Sequence, residues 1–127
     1  MKANELRIGN LVRIDDKDSI FRVLFIKENV VQVLELGKDY PYAIVEIERI
    51  KPIPLTEEIL LELGFKEQPN GWYSFCICND WTYLNFEKLA GVELSVNKHS
   101  IMLPHINYVH QLQNLYFALT GNELTIK

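Results

Sequence analysis

Two cysteines and three histidines carry the most consequential chemistry in this chain. Cys76, Cys78, His99, His105 and His110 would offer thiolates and imidazoles to a metal. Zinc sites pair a C-x₂₋₄-C knuckle with a second pair at a defined spacing. Here the cysteines are spaced C-x-C. The nearest histidine pair, His105 and His110, is five residues apart, roughly 140° around a helix. These groups do not converge, so no metal is expected. On a strand Cys76 and Cys78 share one face, where a bridge between them would be strained. They read as reduced, apolar core residues of a reducing compartment. The nucleophilic alternative, a small enzyme acting through Cys76 or Cys78, requires an accessible thiol with a lowered pKa.

The acidic run Asp15-Asp16-Lys17-Asp18 has the look of a cation loop. An EF-hand places Gly at its sixth position and a bidentate Glu at its twelfth. Counted from Asp16 those positions hold Phe21 and Lys27. A solvated turn is the better reading. There is no phosphate-cradling Gly-rich loop and no G-x-S-x-G elbow. The expectation is a non-catalytic protein without a cofactor.

With 127 residues, 48% of them hydrophobic and 24% charged, the chain has the makeup of one globular domain. It can bury a core without staples. No apolar run approaches the roughly 20 residues of a membrane span. The opening MKANELRIGN lacks the apolar segment of a signal peptide. A cytoplasmic protein is expected. The net charge of −4 is uneven: residues 1–55 balance nine basic against nine acidic groups, whereas 56–127 carry four and eight. Phosphate neutralisation supplies most of the affinity for nucleic acid, so this balance disfavours that class of partner.

These residues are positioned by short β-rich runs at 11–14, 20–27, 30–36 and 42–50, separated by turn chemistry. Phe21, Val23 and Phe25 alternate against Ile20, Arg22, Leu24 and Ile26, and Ala43, Val45 and Ile47 against Glu46 and Glu48. Such spacing predicts a small, bent antiparallel sheet, and the stretch 8–14 resembles the first strand of SH3-like barrels. Pro52-Ile53-Pro54 ends the sheet. A helix follows, capped by Thr56 and stopped by Gly64 with a Schellman return of Phe65. The second half reads as another meander, 65–68, 72–78, 81–87, 92–96 and 101–103, with Asn70-Gly71 turning the first hairpin. Trp72 and Trp81 are placed to pair across the next one. A long helix over 104–121 covers this second sheet, its apolar stripe formed by Tyr108, Val109, Leu112, Leu115, Tyr116 and Leu119.

On the polar side of that helix lie His110, Gln113 and Asn114, with Phe117 among them. An aromatic beside amides is a common ingredient of a binding surface. This face is the first candidate for a protein partner. For nucleic acid, the alternative, Arg7, Arg13, Lys17 and Arg22 of the first sheet are the candidate phosphate contacts. The aromatic hairpin of Trp72, Tyr73, Phe75, Trp81, Tyr83 and Phe86 has no basic residue between Lys66 and Lys88 and reads as core packing.

Three segments, NELRIGN (4–10), PLTEEIL (54–60) and YVHQLQNLYFALTG (108–121), together resemble a group of small uncharacterised proteins of gut anaerobic bacteria, their phages and mobile elements. The resemblance spans nearly the whole chain. It implies no activity, cofactor or catalytic residue. It implies a context, that of an accessory factor binding a host protein.

The expectation is therefore an α+β domain over 1–127, with sub-lobes at 1–53 and 54–127. An SH3-like sheet comes first, then a short helix, then a second antiparallel sheet packed by a C-terminal helix. Its expected role is to bind a protein partner of unknown identity.

Overall fold

β-Branched and aromatic residues dominate the first fifty positions, and they build one antiparallel sheet. Its strands are β1 (Leu11–Ile14), β2 (Phe21–Lys27), β3 (Val30–Glu35), β4 (Tyr42–Glu46) and β5 (Ile50–Lys51), in the order β4-β3-β2-β1-β5. In this computed structural model, residues 2–15, 17–77 and 81–126 are described. The expected strand over 42–50 is in fact two. It stops at Glu46, turns through a 3₁₀ segment at Ile47–Arg49, and resumes as β5 beside β1.

The inner face of this sheet is a continuous apolar cluster containing Val12, Ile14, Phe21, Val23, Val31, Val33, Val45, Ile47 and Ile50. Ala43, Val45 and Ile47 face inward as their alternation predicts. Phe25 does not follow Phe21 and Val23. The register against β3 slips between Val23, opposite Val33, and Phe25, opposite Gln32. This bulge reverses the alternation, so Phe25 is 53% exposed while Ile26 packs on the core.

The second sheet has the order β10-β9-β8-β7-β6. Its strands are β6 (Lys66–Glu67), β7 (Tyr73–Cys76), β8 (Thr82–Glu87), β9 (Gly91–Val96) and β10 (His99–Leu103). Asn70-Gly71 turns β6 into β7, with Gly71 at φ +89°. Pairing of Tyr73 with Phe86 and of Cys76 with Tyr83 puts Trp72 and Trp81 at opposite ends of the hairpin. The expected Trp–Trp pair is not formed, and Trp81 is 63% exposed. Tyr73, Leu84, Phe86 and Val92 are buried, as core packing requires.

Helix α1 (Glu57–Glu62) has the ends its sequence specifies. The Thr56 hydroxyl accepts from Ile59 N. Gly64, at φ +103°, lets Gly64 N reach Leu61 O and Phe65 N reach Leu60 O, the paired bonds of a Schellman stop. Helix α2 (Val109–Thr120) begins five residues later than its apolar period suggests. Residues 104–107 form a turn, with Ile106 N donating to Leu103 O, and Tyr108 bridges to Pro54. Gln111 Oε1 accepts from Tyr108 N, which makes Tyr108 the cap.

The molecule is thus an α+β protein with two five-stranded antiparallel sheets, one short helix and one C-terminal helix. It divides into two compact units, Met1–Pro54 with Tyr108–Asn114 and Leu55–Asn107 with Leu115–Lys127. The first half of α2 therefore groups with the first sheet, where its whole length was expected on the second. Its second half does belong with the second sheet: Tyr116 meets Phe75 edge to face at 5.6 Å, and Phe75 meets Phe65 at 5.2 Å. Among the described residues no helix is long and apolar enough to cross a membrane.

Gly64 holds a backbone conformation that a Cβ disfavours by about 1–2 kcal/mol. Gly64→Ala is expected to lower the unfolding free energy by that amount in urea titration. An unchanged midpoint would show that the helix stop is not confined to the left-handed form.

Candidate functional site

The most interconnected polar cluster lies in the first unit, where the chain enters β1. A turn at Arg7–Asn10 leaves the backbone of Gly9 and Leu11 without strand partners on one side. Gln113 of α2 supplies them. Its Oε1 accepts from Leu11 N at 2.7 Å and from Asn10 Nδ2 at 3.5 Å, and its Nε2 donates to Gly9 O at 3.3 Å. Asn114 Oδ1 accepts from Asn10 Nδ2 at 2.8 Å and from Arg7 Nε at 3.1 Å, while its Nδ2 donates to Glu5 O. Asn10 Oδ1 accepts from Arg7 N at 2.7 Å. Asn10 and Gln113 are completely buried.

The helix face expected to meet a partner is therefore largely an inner face. His110 is 2% exposed and Gln113 not at all, and Asn114 is half-buried. The physical reason is that buried backbone groups must be paired, and here amide side chains pair them. The helix buries polar residues alongside Val109 and Leu112, so its apolar period marks only part of its buried surface. Phe117 is 39% exposed, as is Leu119 of the expected apolar stripe.

Neither ring nitrogen of His110 has a hydrogen-bond partner among the described residues. Its Nε2 lies 4.0 Å from Glu5 Oε2, and its ring stacks near that of Tyr108 at 6.1 Å. A cavity of about 250 Å³ opens beside it, lined by Glu5, Ile50, Lys51, Pro52, Tyr108 and Gln111. Burial lowers the pKa of the imidazole, and Glu5 opposes that shift more weakly. Among the described residues no group of three or more His, Cys, Asp and Glu is placed to hold a metal.

Two of the basic residues proposed for phosphate are engaged by neighbouring groups. Arg7 is engaged by Asn114 and the Gln113 carbonyl. Arg13 donates to Lys17 O and lies 3.7 Å from Asp18. Lys17 and Arg22 are exposed. In the acidic turn Asp15 pairs with Arg49 at 2.7 Å. Asp16, Cys78 and the turn at Asn79-Asp80 lie outside the described residues. Cys76 is exposed, which corrects its reading as a core thiol, and it stands on β7, with β8 and β9 between it and His99 on β10. In the second unit the Tyr73 hydroxyl lies 3.0 Å from Glu57 and 3.2 Å from Glu67. Burial, reinforced by these carboxylates, pushes its pKa up to about 12.

Sequence reasoning missed the outer face of the first sheet. Register aligns Arg22, Leu34 and Tyr42 in one row and Phe25, Gln32 and Ile44 in the next. Tyr42 is 56% and Ile44 71% exposed, both on the edge strand β4. The alternation of β4 carried that signal. The bulge that brings Phe25 to the same face has none in its sequence.

No family model, no curated protein and no solved structure matches the chain.

Gln113→Leu keeps the bulk but strands Leu11 N and Gly9 O. Each orphaned group costs about 1–3 kcal/mol, so a loss of at least about 2 kcal/mol is expected by denaturant titration. A loss under 0.5 kcal/mol, the range of ordinary surface changes, would refute the bonding. His110 adds a pH dependence. Below the ordinary imidazole value of about 6.5 the unfolded chain binds a proton that the native ring resists. Stability is therefore lost as pH falls from there toward the lower native value. Melting curves between pH 7.5 and 5.5 should fall less steeply for His110→Leu than for the parent protein. Parallel slopes would exclude a buried neutral His110.

Proposed function

We propose that this chain is a non-catalytic interaction protein that binds an extended segment of a partner along β4. The observation that carries this reading is the outer face at that edge, where Tyr42 and Ile44 stand exposed, with Phe25 exposed two strands away in the row of Ile44. An edge strand offers unpaired N–H and C=O groups, and alternate side chains add specificity. Asp39, Glu46 and Glu48 are exposed around this edge, as are Lys38 and Arg49, which pair with Glu35 and Asp15. Charge complementarity therefore favours a segment alternating apolar residues with Lys or Arg. The return of β5 to β1 after a 3₁₀ turn supports the SH3-like reading of this sheet. The resemblance of the three sequence segments supports a partner among the host proteins met by a phage or mobile-element factor.

A second reading, a nucleic-acid-binding module, draws support from one observation. Arg22 shares the outer face with Phe25 and Tyr42, a mix suited to phosphate contact and base stacking.

Synthetic strand peptides alternating Ile or Val with Lys test the first reading. Binding should slow hydrogen exchange at β4 amides, and Ile44→Lys should weaken it at least tenfold with the fold intact. Slowed exchange elsewhere, or indifference to Ile44→Lys, would overturn it. Binding of single-stranded DNA that falls steeply with salt and with Arg22→Ala would favour the second reading instead.

A further inference from the structure

The second unit presents a different surface. Two adjoining cavities, of about 560 and 340 Å³, share Gln68, Ser74 and Tyr83; Asn70 and Asn85 line the larger one. Strand alternation explains the grouping. Tyr73, Phe75, Leu84 and Phe86 point to the apolar side of the sheet, so Ser74, Tyr83 and Asn85 point to the other. Ser74 sits directly opposite Asn85, and Tyr83 lies two residues along from Asn85 on the same face.

The three amides are held from behind, each by one of its two ends. Asn85 Nδ2 donates to Glu93 Oε1 at 3.1 Å, which leaves Asn85 Oδ1 uncommitted. Gln68 Nε2 donates to Lys66 O at 3.4 Å, which leaves Gln68 Oε1. Asn70 Oδ1 accepts from Trp72 N at 3.1 Å, which leaves Asn70 Nδ2. The hydroxyls of Ser74 and Tyr83 bond to no side chain or backbone group among the described residues. All five residues are uncharged, and all but Asn70 are partly buried.

From this donor and acceptor set we infer that the outer face of the second sheet binds a neutral oligosaccharide. Amides and hydroxyls that both donate and accept match ligand hydroxyls, which do the same. Amides already oriented by a second partner lose little freedom when they engage a ligand. The phenol of Tyr83 offers an apolar face with a polar tip, suited to a ring with C–H and O–H edges. Among the described residues that line the two cavities Lys66 is the one cation, with Glu93 beyond Asn85 to oppose an anionic ligand, and a cationic one would find that carboxylate already engaged by Asn85. The polar surface also runs on across the sheet. Tyr83 pairs with Ser95 and Ser95 with Ser100, so the row reaches β10. Five strands span roughly 19 Å, room for several sugar rings rather than one.

The test is a titration of the ¹⁵N-labelled full chain with cellotetraose, maltotetraose and chitotetraose, with a heparin-derived tetrasaccharide as the anionic control. At least one neutral tetrasaccharide should move the side-chain amide signals of Gln68, Asn70 and Asn85. Asn85→Ala and the milder Tyr83→Phe should each weaken that binding about tenfold without lowering Tm. Three results would overturn the inference. They are no shift with any neutral probe at millimolar concentration, shifts confined to other residues, and binding of the anionic control that is equal or tighter.

Discussion

The first unit depends on one amide. Where the chain turns at Gly9 and enters β1, the carbonyl of Gly9 and the N–H of Leu11 are buried with no strand to pair them. Gln113 accepts from one and donates to the other, at 2.7 and 3.3 Å. Neither bond is strong in net terms. Leaving both groups unpaired would cost far more than making them contributes. That asymmetry fixes the rotation of the helix about its own axis within this unit. Once Gln113 must face β1, Asn114 falls beside Arg7 and Asn10, and His110, one turn earlier, is drawn inside as well.

The parts of the fold legible in the sequence are those set by neighbours in sequence. Thr56 caps α1 and Gly64 stops it because both interactions close within a few residues. The Asn70-Gly71 hairpin and the inward face of β4 follow from local sequence for the same reason. What misled was non-local. Polar residues on α2 read as solvent-facing because periodicity ranks residues by hydrophobicity, and a buried Gln is ranked as if it faced water. Its partners are a hundred residues away in the chain. The bulge at Val23 and Phe25 is a matter of pairing register, which no alternation within β2 reveals. The helix start failed for a related reason, since Pro104 suits a first turn but Tyr108 is held by its bridge to Pro54.

The same two non-local effects decide what each sheet shows to solvent. In the first sheet the bulge carries an aromatic from the core side to the outer side, onto the face that Tyr42 and Ile44 share. In the second, β7, β8 and β9 pair without a slip, so strict alternation sends Phe75, Leu84 and Phe86 one way and Ser74, Tyr83 and Asn85 the other. One outer face carries exposed apolar side chains with Arg22 among them, and the other becomes a field of amides and hydroxyls. Surfaces so unlike in donor chemistry fit different classes of ligand.

The edges of the sheets carry the same distinction further. β5 and β6 are edge strands of only two residues, and each carries a lysine, Lys51 and Lys66, features that discourage another strand from adding. β4 and β10 are five residues long and contain no lysine. On β10 the exposed Ile101 belongs to the row Leu84–Leu94–Ile101, which lies on the apolar side of its own sheet. Its exposure is that of a core face at its rim. Ile44 has no such explanation. It stands on the side away from the apolar cluster formed by Val31, Val33 and Val45. It shares that side with the exposed Tyr42, on an edge strand that contains no lysine. On the proposed reading, pairing with a further strand would cover it.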